Sequence, residues 1–201
     1  MIKRGSVLNI DIAVLDAVLF SYFWLDIQSV KEYLMHTEKM RNAVFSENID
    51  IKPMLDLNYA YNPNPKRATF YSVSENVTIM FPNLQDGWIT RFYSIADKLK
   101  AKACYMKIMD YRKFPDDSSN YLIHIENSQK RIVYTLKENK WVFFEQGCPL
   151  PFENTAYYAA KQKKERLSKK IMLEYSESLG VAKNGIITVN DDRAFSYELY
   201  W

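Results

Sequence analysis

Apolar residues occupy nearly every position from Ile10 to Trp24, close to the start of the chain. Such a run shows neither the period of an amphipathic helix nor the strict alternation of a half-buried strand. The pattern is therefore compatible with a buried helix or with a pair of strands. We favour the helix and expect it to be the first buried element of the fold.

Alternating apolar and polar residues predict two β-hairpins further along the chain. The strands of the first are Arg67–Val73 and Val77–Phe81, and the second hairpin runs from Arg131 to Glu145. Further predicted strands are Cys104–Met109, Tyr121–Glu126, Ile186–Val189 and Phe195–Trp201, with a loop at Asn62–Pro65 and a turn at Asp191-Asp192-Arg193. Most of the predicted strands therefore lie in the second half of the chain.

Three further segments predict amphipathic helices. A capping-box pattern at Ser29–Glu32 precedes the predicted helix Val30–Arg41, and Asp86 can cap a second helix that ends near Leu99. The longest predicted helix runs from about Asn154 to Leu179, and Gly180 follows it in the position of a left-handed C-terminal cap.

These elements predict an α+β fold: an antiparallel sheet built from two β-hairpins and covered by amphipathic helices. The chain has 201 residues, and we predict a single domain over residues 1–201, with a two-lobe division near 111–120 as the alternative. The hairpins share an initial Arg and a Glu-Asn pair, at Arg67 with Glu75-Asn76 and at Arg131 with Glu138-Asn139. This similarity fits either an internal duplication or two ordinary hairpins.

Aromatic residues are the unusual part of the composition, at 15% of the chain with 15 Tyr, 11 Phe and 4 Trp. Tyr and Trp are enriched at protein interfaces because each combines a large apolar area with a polar group, although aromatic residues also favour strands. The net charge of +3 and the pI of about 8.6 are too small to indicate a dedicated nucleic-acid-binding protein. The composition therefore favours a protein partner.

The N-terminal region resembles a signal peptide only in part. Lys3 and Arg4 precede the apolar run, but Asp11 and Asp16 interrupt it, and the run is too short to span a bilayer. Two cysteines do not form a disulfide framework, and a cytosolic chain would keep both reduced. We therefore expect a cytoplasmic protein with no membrane segment.

The candidate catalytic residues do not form a known motif. His124 and Glu126 would share one face of a strand, but the Pro-Cys-x-x-Cys partner of a zinc deaminase is absent, and His36 lies in a charged helix. Cys148 lies between a glycine and a proline and is the better candidate for a reactive thiol than Cys104. An unreactive cysteine is nevertheless the commoner case. We predict no enzyme activity, no cofactor and no metal, and we expect His124 to be a structural or a surface histidine.

Glycine-rich phosphate loops and serine-nucleophile motifs are also missing from the sequence. The carboxylate pairs Asp116-Asp117 and Asp191-Asp192 lie in turn-like sequence, where Asp is favoured because it hydrogen-bonds its own backbone. These pairs are therefore interpreted as turn residues.

The densest charge is the segment Lys161–Lys170, which contains six basic residues and one acidic residue. On a helix, Lys163, Arg166 and Lys170 would gather on one flank and form the predicted binding residues. That flank could bind a phosphate backbone or an acidic protein, and it could equally be a solvated polar face with Lys stems packed along the surface.

Between Arg131 and Gly180 the sequence resembles small cytosolic bacterial inhibitors of the toxin-immunity kind, in Lys140-Trp141, Gly147, Phe152-Glu153 and Arg166-Leu167, without a diagnostic motif. The predicted function is a non-catalytic protein-binding module, and the resemblance implies an immunity-type inhibitor. The alternative is a nucleic-acid-binding or regulatory protein that uses residues 161–170. A third class, an enzyme acting through His124 and Glu126, would require a deep pocket around His124.

Overall fold

The computed structural model describes residues 7–37, 42–47, 49, 65–84, 86, 88–116 and 118–200. The chain divides into two compact units with interleaved segments. The first unit comprises Met1–Asn9, Phe20–Ala103 and Thr188–Trp201, and the second comprises Ile10–Leu19 and Cys104–Ile187. Within the described residues, no helix combines the length and the apolar character that crossing a membrane requires.

Strands dominate the described part of the chain. The strands are β1 Val7–Asp11, β2 Ala17–Phe23, β3 Ala43–Ser46, β4 Lys66–Ser74, β5 Val77–Pro82, β6 Ala103–Met109, β7 Ser119–Glu126, β8 Gln129–Lys137, β9 Trp141–Gln146 and β10 Ile186–Leu199. The α-helices are α1 Ile27–Thr37, α2 Ile89–Lys98 and α3 Lys169–Ser178. Two short 3-10 helices, Thr155–Ala159 and Lys163–Glu165, precede α3.

The predicted α+β class is wrong, because the described fold is mainly antiparallel sheet with three short α-helices. One cause is the segment Ile10–Trp24, which contains the end of β1 and all of β2 rather than a helix. The Asp11 carboxylate accepts the backbone N–H of Ala13 at 3.0 Å and stabilises the turn that follows β1. All seven residues of β2 are buried, which explains the uninterrupted apolar run.

The second cause is the predicted long helix Asn154–Leu179, which is also wrong. The Asn154 side chain accepts the N–H of Ala156, but it begins the 3-10 helix Thr155–Ala159. The α-helix starts only after Ser168, whose hydroxyl accepts the N–H of Ile171. The predicted C-terminal end of this helix is confirmed, because Gly180 follows α3 with a φ of +71°, a conformation that favours glycine.

The first unit is built on antiparallel strand pairs. The strands that lie wholly or mainly in it follow the order β1, β10, β4, β5 and β2, and β3 also pairs with β10. The β4–β5 hairpin confirms the first predicted hairpin. The core of the first unit is aromatic. Phe70 stacks on Phe195 with ring centroids 4.7 Å apart, and Phe23 of β2 packs on Phe92 of α2.

Two other predictions in this unit need correction. The helix α1 begins at Ile27, and Asp26 rather than Ser29 accepts the first N–H groups, at 2.8 Å from Ser29 N. These hydrogen bonds from Ser29 lower the pKa of Asp26. The predicted turn at Asp191-Asp192-Arg193 lies inside β10, where an irregularity in the pairing falls between Asn190 and Phe195. The ends of the predicted helix beyond residue 37 and of the loop before Pro65 lie outside the described residues.

The second unit contains β6 from Cys104 onwards and all of β7, β8 and β9, in that order. Asn127 and Ser128 both have positive φ, of 51° and 66°, which is the geometry of the tight turn that right-twisted strands prefer. This turn pairs Glu126 with Gln129 and fixes the register of β7 and β8 as far as Ser119 and Leu136. The β8–β9 pairing confirms the second predicted hairpin.

Candidate functional site

Three aromatic side chains form a ladder across β7, β8 and β9 on one face of the sheet. Tyr121 is paired with Tyr134, and Tyr134 with Phe144. Cross-strand partners lie on the same face of a sheet, so the three rings stand in a row. The ring centroids are 4.9 Å apart for the first pair and 5.0 Å for the second, and both pairs are stacked. We call Tyr121, Tyr134 and Phe144 the aromatic ladder.

The aromatic ladder is increasingly open to solvent towards β9. Tyr121 and Tyr134 are half-buried, and Phe144 is 40% exposed. On the same face, Ile132, Leu136 and Val142 are apolar and half-buried, and the exposed Gln146 follows Phe144 on β9. Burial, followed by the nearby Tyr134 and Glu138, raises the pKa of Tyr121, which keeps its hydroxyl neutral at physiological pH.

The opposite face of these strands is covered by the chain itself. Phe143 packs on Tyr158 with ring centroids 5.2 Å apart, and the Thr135 hydroxyl donates to the carbonyl of Leu167 at 3.3 Å. Arg166 lies over the Phe143 ring at 5.3 Å. One face of β8 and β9 is therefore packed against the rest of the chain, and the aromatic ladder lies on the other face.

A buried ionic network anchors this covering segment. Arg131 donates to both oxygens of Glu153, and the Tyr158 hydroxyl donates to Glu153 Oε2 at 2.7 Å. Burial is the largest single influence and disfavours ionisation of Glu153, but the hydrogen bonds from Arg131, the Leu150 N–H and Tyr158, with the charge of Arg131, together hold the pKa of that carboxyl below its ordinary value. Burial and the hydrogen bonds to Tyr175 and Glu153 raise the pKa of Tyr158. The network therefore holds residues 150–158 against the back of β8.

The outer edge of β9 is the end of the strand order in the second unit. All six residues of β9 pair with β8 on the inner side. In the part of the chain that the structure describes, no other backbone–backbone hydrogen bond reaches β9. In an antiparallel pair, about half of the backbone N–H and C=O groups of the end strand point outwards, so β9 presents free donors and acceptors.

The predicted basic binding residues do not share a helical flank, because the α-helix begins only at Lys169. Lys163 is exposed and opens the 3-10 helix Lys163–Glu165, which contacts both β8 and β9. Arg166 donates to the carbonyl of Ala160 at 2.8 Å, so it is held in place by the chain. Lys170 lies 4.0 Å from Glu174 on an exposed helix face. The three side chains therefore have different environments.

Cations nevertheless lie beside the Trp141 end of β9. The Lys164 ammonium lies 4.7 Å from the centre of the Tyr111 ring, and Tyr111 packs edge-on against Trp141. Lys163 precedes Lys164, and Lys140 precedes Trp141; both are exposed, and neither has a carboxylate partner among the described residues. At the other end of the strand, Glu145 shares the Arg131 guanidinium with the buried Glu153, with each carboxylate at 2.7 Å. The positive charge that lacks an ion-pair partner therefore lies at the Trp141 end of β9.

His124 and Cys148 line one cleft, which has a cavity volume of about 190 Å³. Glu126, Lys130, Arg131 and Leu150 also line it. The His124 Nε2 atom lies 3.9 Å from Glu126 Oε2, which is beyond hydrogen-bond distance. The described residues contain no group of three or more His, Cys, Asp or Glu side chains arranged to hold a metal ion. The cleft is therefore lined by both a thiol and an imidazole.

Comparison with known proteins finds no matching family model, no matching curated protein and no matching solved structure. The assignment of a site therefore depends on geometry. Sequence reasoning missed the aromatic ladder, although the available signal was the short turn Asn127-Ser128. That turn aligns Tyr121 with Tyr134 once the strand before it is paired with the hairpin after it.

Proposed function

We propose that this chain is a non-catalytic protein-binding module whose contact surface is the aromatic ladder with the β9 edge. The single observation that carries the proposal is the row of stacked rings that ends in Phe144, 40% exposed, beside the apolar side chains of Leu136 and Val142. Aromatic residues contribute strongly to binding at the centre of protein interfaces, and contiguous exposed apolar patches mark such sites.

The partner that fits this surface is a protein with an acidic segment next to an apolar one. Lys140 and Lys163 lie at the Trp141 end without carboxylate partners among the described residues, so an acidic segment would neutralise them. Charge complementarity of this kind increases the association rate and selects the partner. An immunity-type inhibitor is the form of this function that the resemblance implies.

A cytoplasmic location is part of the proposal. Cys104 and Cys148 are both free thiols, one buried and one exposed. An exposed free thiol is typical of a reducing compartment, since oxidising compartments favour disulfides.

Photo-crosslinking tests the proposal. The protein is produced in its native host with a photoreactive phenylalanine analogue at Phe144, and the analogue at Tyr200 serves as the control because that side chain is equally exposed, at 42%. The partner crosslinked only from Phe144 is then identified, purified and mixed with the unmodified protein. A stable complex of the two pure proteins supports the proposal. Crosslinks only to a second copy of the chain, or none specific to Phe144, would contradict it.

A further inference from the structure

The free edge of β9 offers a particular mode of binding. Natural proteins protect the end strands of sheets with proline, with charged residues or with a covering segment. The β9 sequence Trp-Val-Phe-Phe-Glu-Gln contains no proline, and its single charge, Glu145, is paired with Arg131. The nearby 3-10 helix contacts β8 as well as β9, and the residues that follow it, Arg166 and Leu167, contact Phe143 and Thr135 on the covered face rather than the edge.

We infer that the partner binds by strand addition: an extended acidic segment pairs its backbone with the outer edge of β9. The inference rests on the proposed function and names its mode and the chemistry of its ligand. Backbone hydrogen bonds would supply the affinity, as in other cases where a peptide extends a sheet. Side chains that alternate along the segment would then meet the two different faces of β9.

The two faces of β9 define the pattern of the ligand. On one face, Val142 and Phe144 continue the aromatic ladder and its apolar surroundings. The 3-10 helix with Lys163 and Lys164 contacts β9, and Lys164 lies over Tyr111, which packs on Trp141 of the other face. Successive residues of a strand point to opposite faces, so the fitting segment alternates apolar and acidic residues.

A blocked synthetic peptide of alternating Glu and Val is the probe. It is titrated into the full chain labelled with ¹⁵N, and amide shifts and hydrogen exchange are recorded. We expect saturable shifts centred on β9 and slower exchange of its outward amides. A Lys-Val peptide of the same length should bind at least tenfold more weakly. In the double variant Lys140→Glu/Lys163→Glu, the Lys-Val peptide should bind more tightly than the Glu-Val peptide. Lys170→Glu is the matched control and should leave the preference for the Glu-Val peptide unchanged.

Backbone methylation separates strand addition from simple side-chain contact. In an extended peptide the N–H groups of the Glu residues point to one edge and those of the Val residues to the other. Two peptides methylated on one set or the other should therefore differ in affinity by at least tenfold. Equal binding of both, or no binding of the Glu-Val peptide, would overturn strand addition. The proposed function is tested separately by the crosslinked partner. It would be supported if that partner bound through the Phe144 side chain, even without strand addition, and contradicted if its binding did not depend on Phe144.

Discussion

Arg131 and Glu153 form a buried ion pair, with Arg131 Nη2 2.7 Å from Glu153 Oε2 and side-chain exposures of 3% and 0%. The pair joins the back of β8 to the segment that covers it, so it supports the strands that carry the aromatic ladder. Glu153→Ala should lower the free energy of unfolding by about 3 to 5 kcal/mol, because it leaves the Arg131 charge buried with a reduced set of partners. Urea denaturation measures this loss.

Glu145→Ala is the control for this substitution. Glu145 contacts the same guanidinium at 2.7 Å, but its side chain is 43% exposed, so its removal should cost about 1 kcal/mol or less. Equal losses for the two variants would show that Glu153 has no special role in the fold.

Gly147 and Gly180 make a matched pair for backbone geometry. Both have positive φ, of 85° and 71°. A Cβ at Gly147 would lie 2.1 Å from the Lys130 carbonyl oxygen, whereas a Cβ at Gly180 meets no atom within 4 Å. Gly180→Ala should cost about 1 kcal/mol from conformation alone, and Gly147→Ala should cost clearly more because the backbone must move. Denaturation midpoints in the reverse order would contradict this account of the β9 end.

Ser168 tests where the last α-helix begins. Its hydroxyl accepts the N–H of Ile171, so Ser168→Ala should lower the free energy of unfolding by about 0.5 to 2 kcal/mol. Asn154→Ala removes only the cap of a short 3-10 helix on the surface and should cost less. Should Asn154→Ala prove the more damaging of the two, a continuous helix from residue 154 would have to be reconsidered.

Asp110 makes part of the stability depend on pH. The hydrogen bond from the Arg112 side chain, at 2.6 Å to Nη2, outweighs burial and lowers the pKa of Asp110 from its ordinary value of 3.8 to about 2. Because the folded-state pKa lies below the unfolded one, the stabilisation is complete above about pH 4 and is lost as the pH falls through about 2.

Asp110→Asn should therefore destabilise the protein at neutral pH and lose this effect towards about pH 2. Arg112 is 74% exposed, so the effect should stay at or below about 1 kcal/mol. Asp97→Asn, whose partner Lys100 is 3.6 Å away on the surface, is the control and should show little change at either pH. Urea midpoints across this pH range provide the measurement. A penalty for Asp110→Asn that does not change with pH would remove the ionic explanation.

The hairpins could be predicted from the sequence because alternation is a local property of each strand. The β4–β5 and β8–β9 pairs needed only the spacing of residues such as Tyr71 and Ile79 and the turns between them. The segment Ile10–Trp24 could not be assigned in this way. A strand buried on both faces, as β2 is, has no alternation, so its apolar run does not distinguish it from a helix.

The long helix predicted over Asn154–Leu179 does not form, because tertiary contacts favour another backbone conformation. Helical spacing continues from Tyr157 to Tyr175, but Tyr158 is bound to Glu153, and Arg166 is held on Phe143 and the Ala160 carbonyl. These contacts favour two short 3-10 helices over a continuous α-helix, and they cannot be recognised from a local sequence pattern. The aromatic ladder was missed because Tyr121 and Phe144 lie on strands whose register becomes known only when both hairpin pairings are combined.

The central claim is that Phe144 and its neighbours bind a protein partner, and the affinity of the purified crosslinked partner for point variants tests it most directly. Calorimetric titration would compare the unchanged protein with Phe144→Ala and with Tyr200→Ala, an equally exposed aromatic residue in the other unit. Since exposed aromatic anchors contribute about 2 kcal/mol or more at interface centres, Phe144→Ala should weaken binding at least tenfold and Tyr200→Ala should not. Equal affinity of the two variants, with the fold of each intact, would contradict the account.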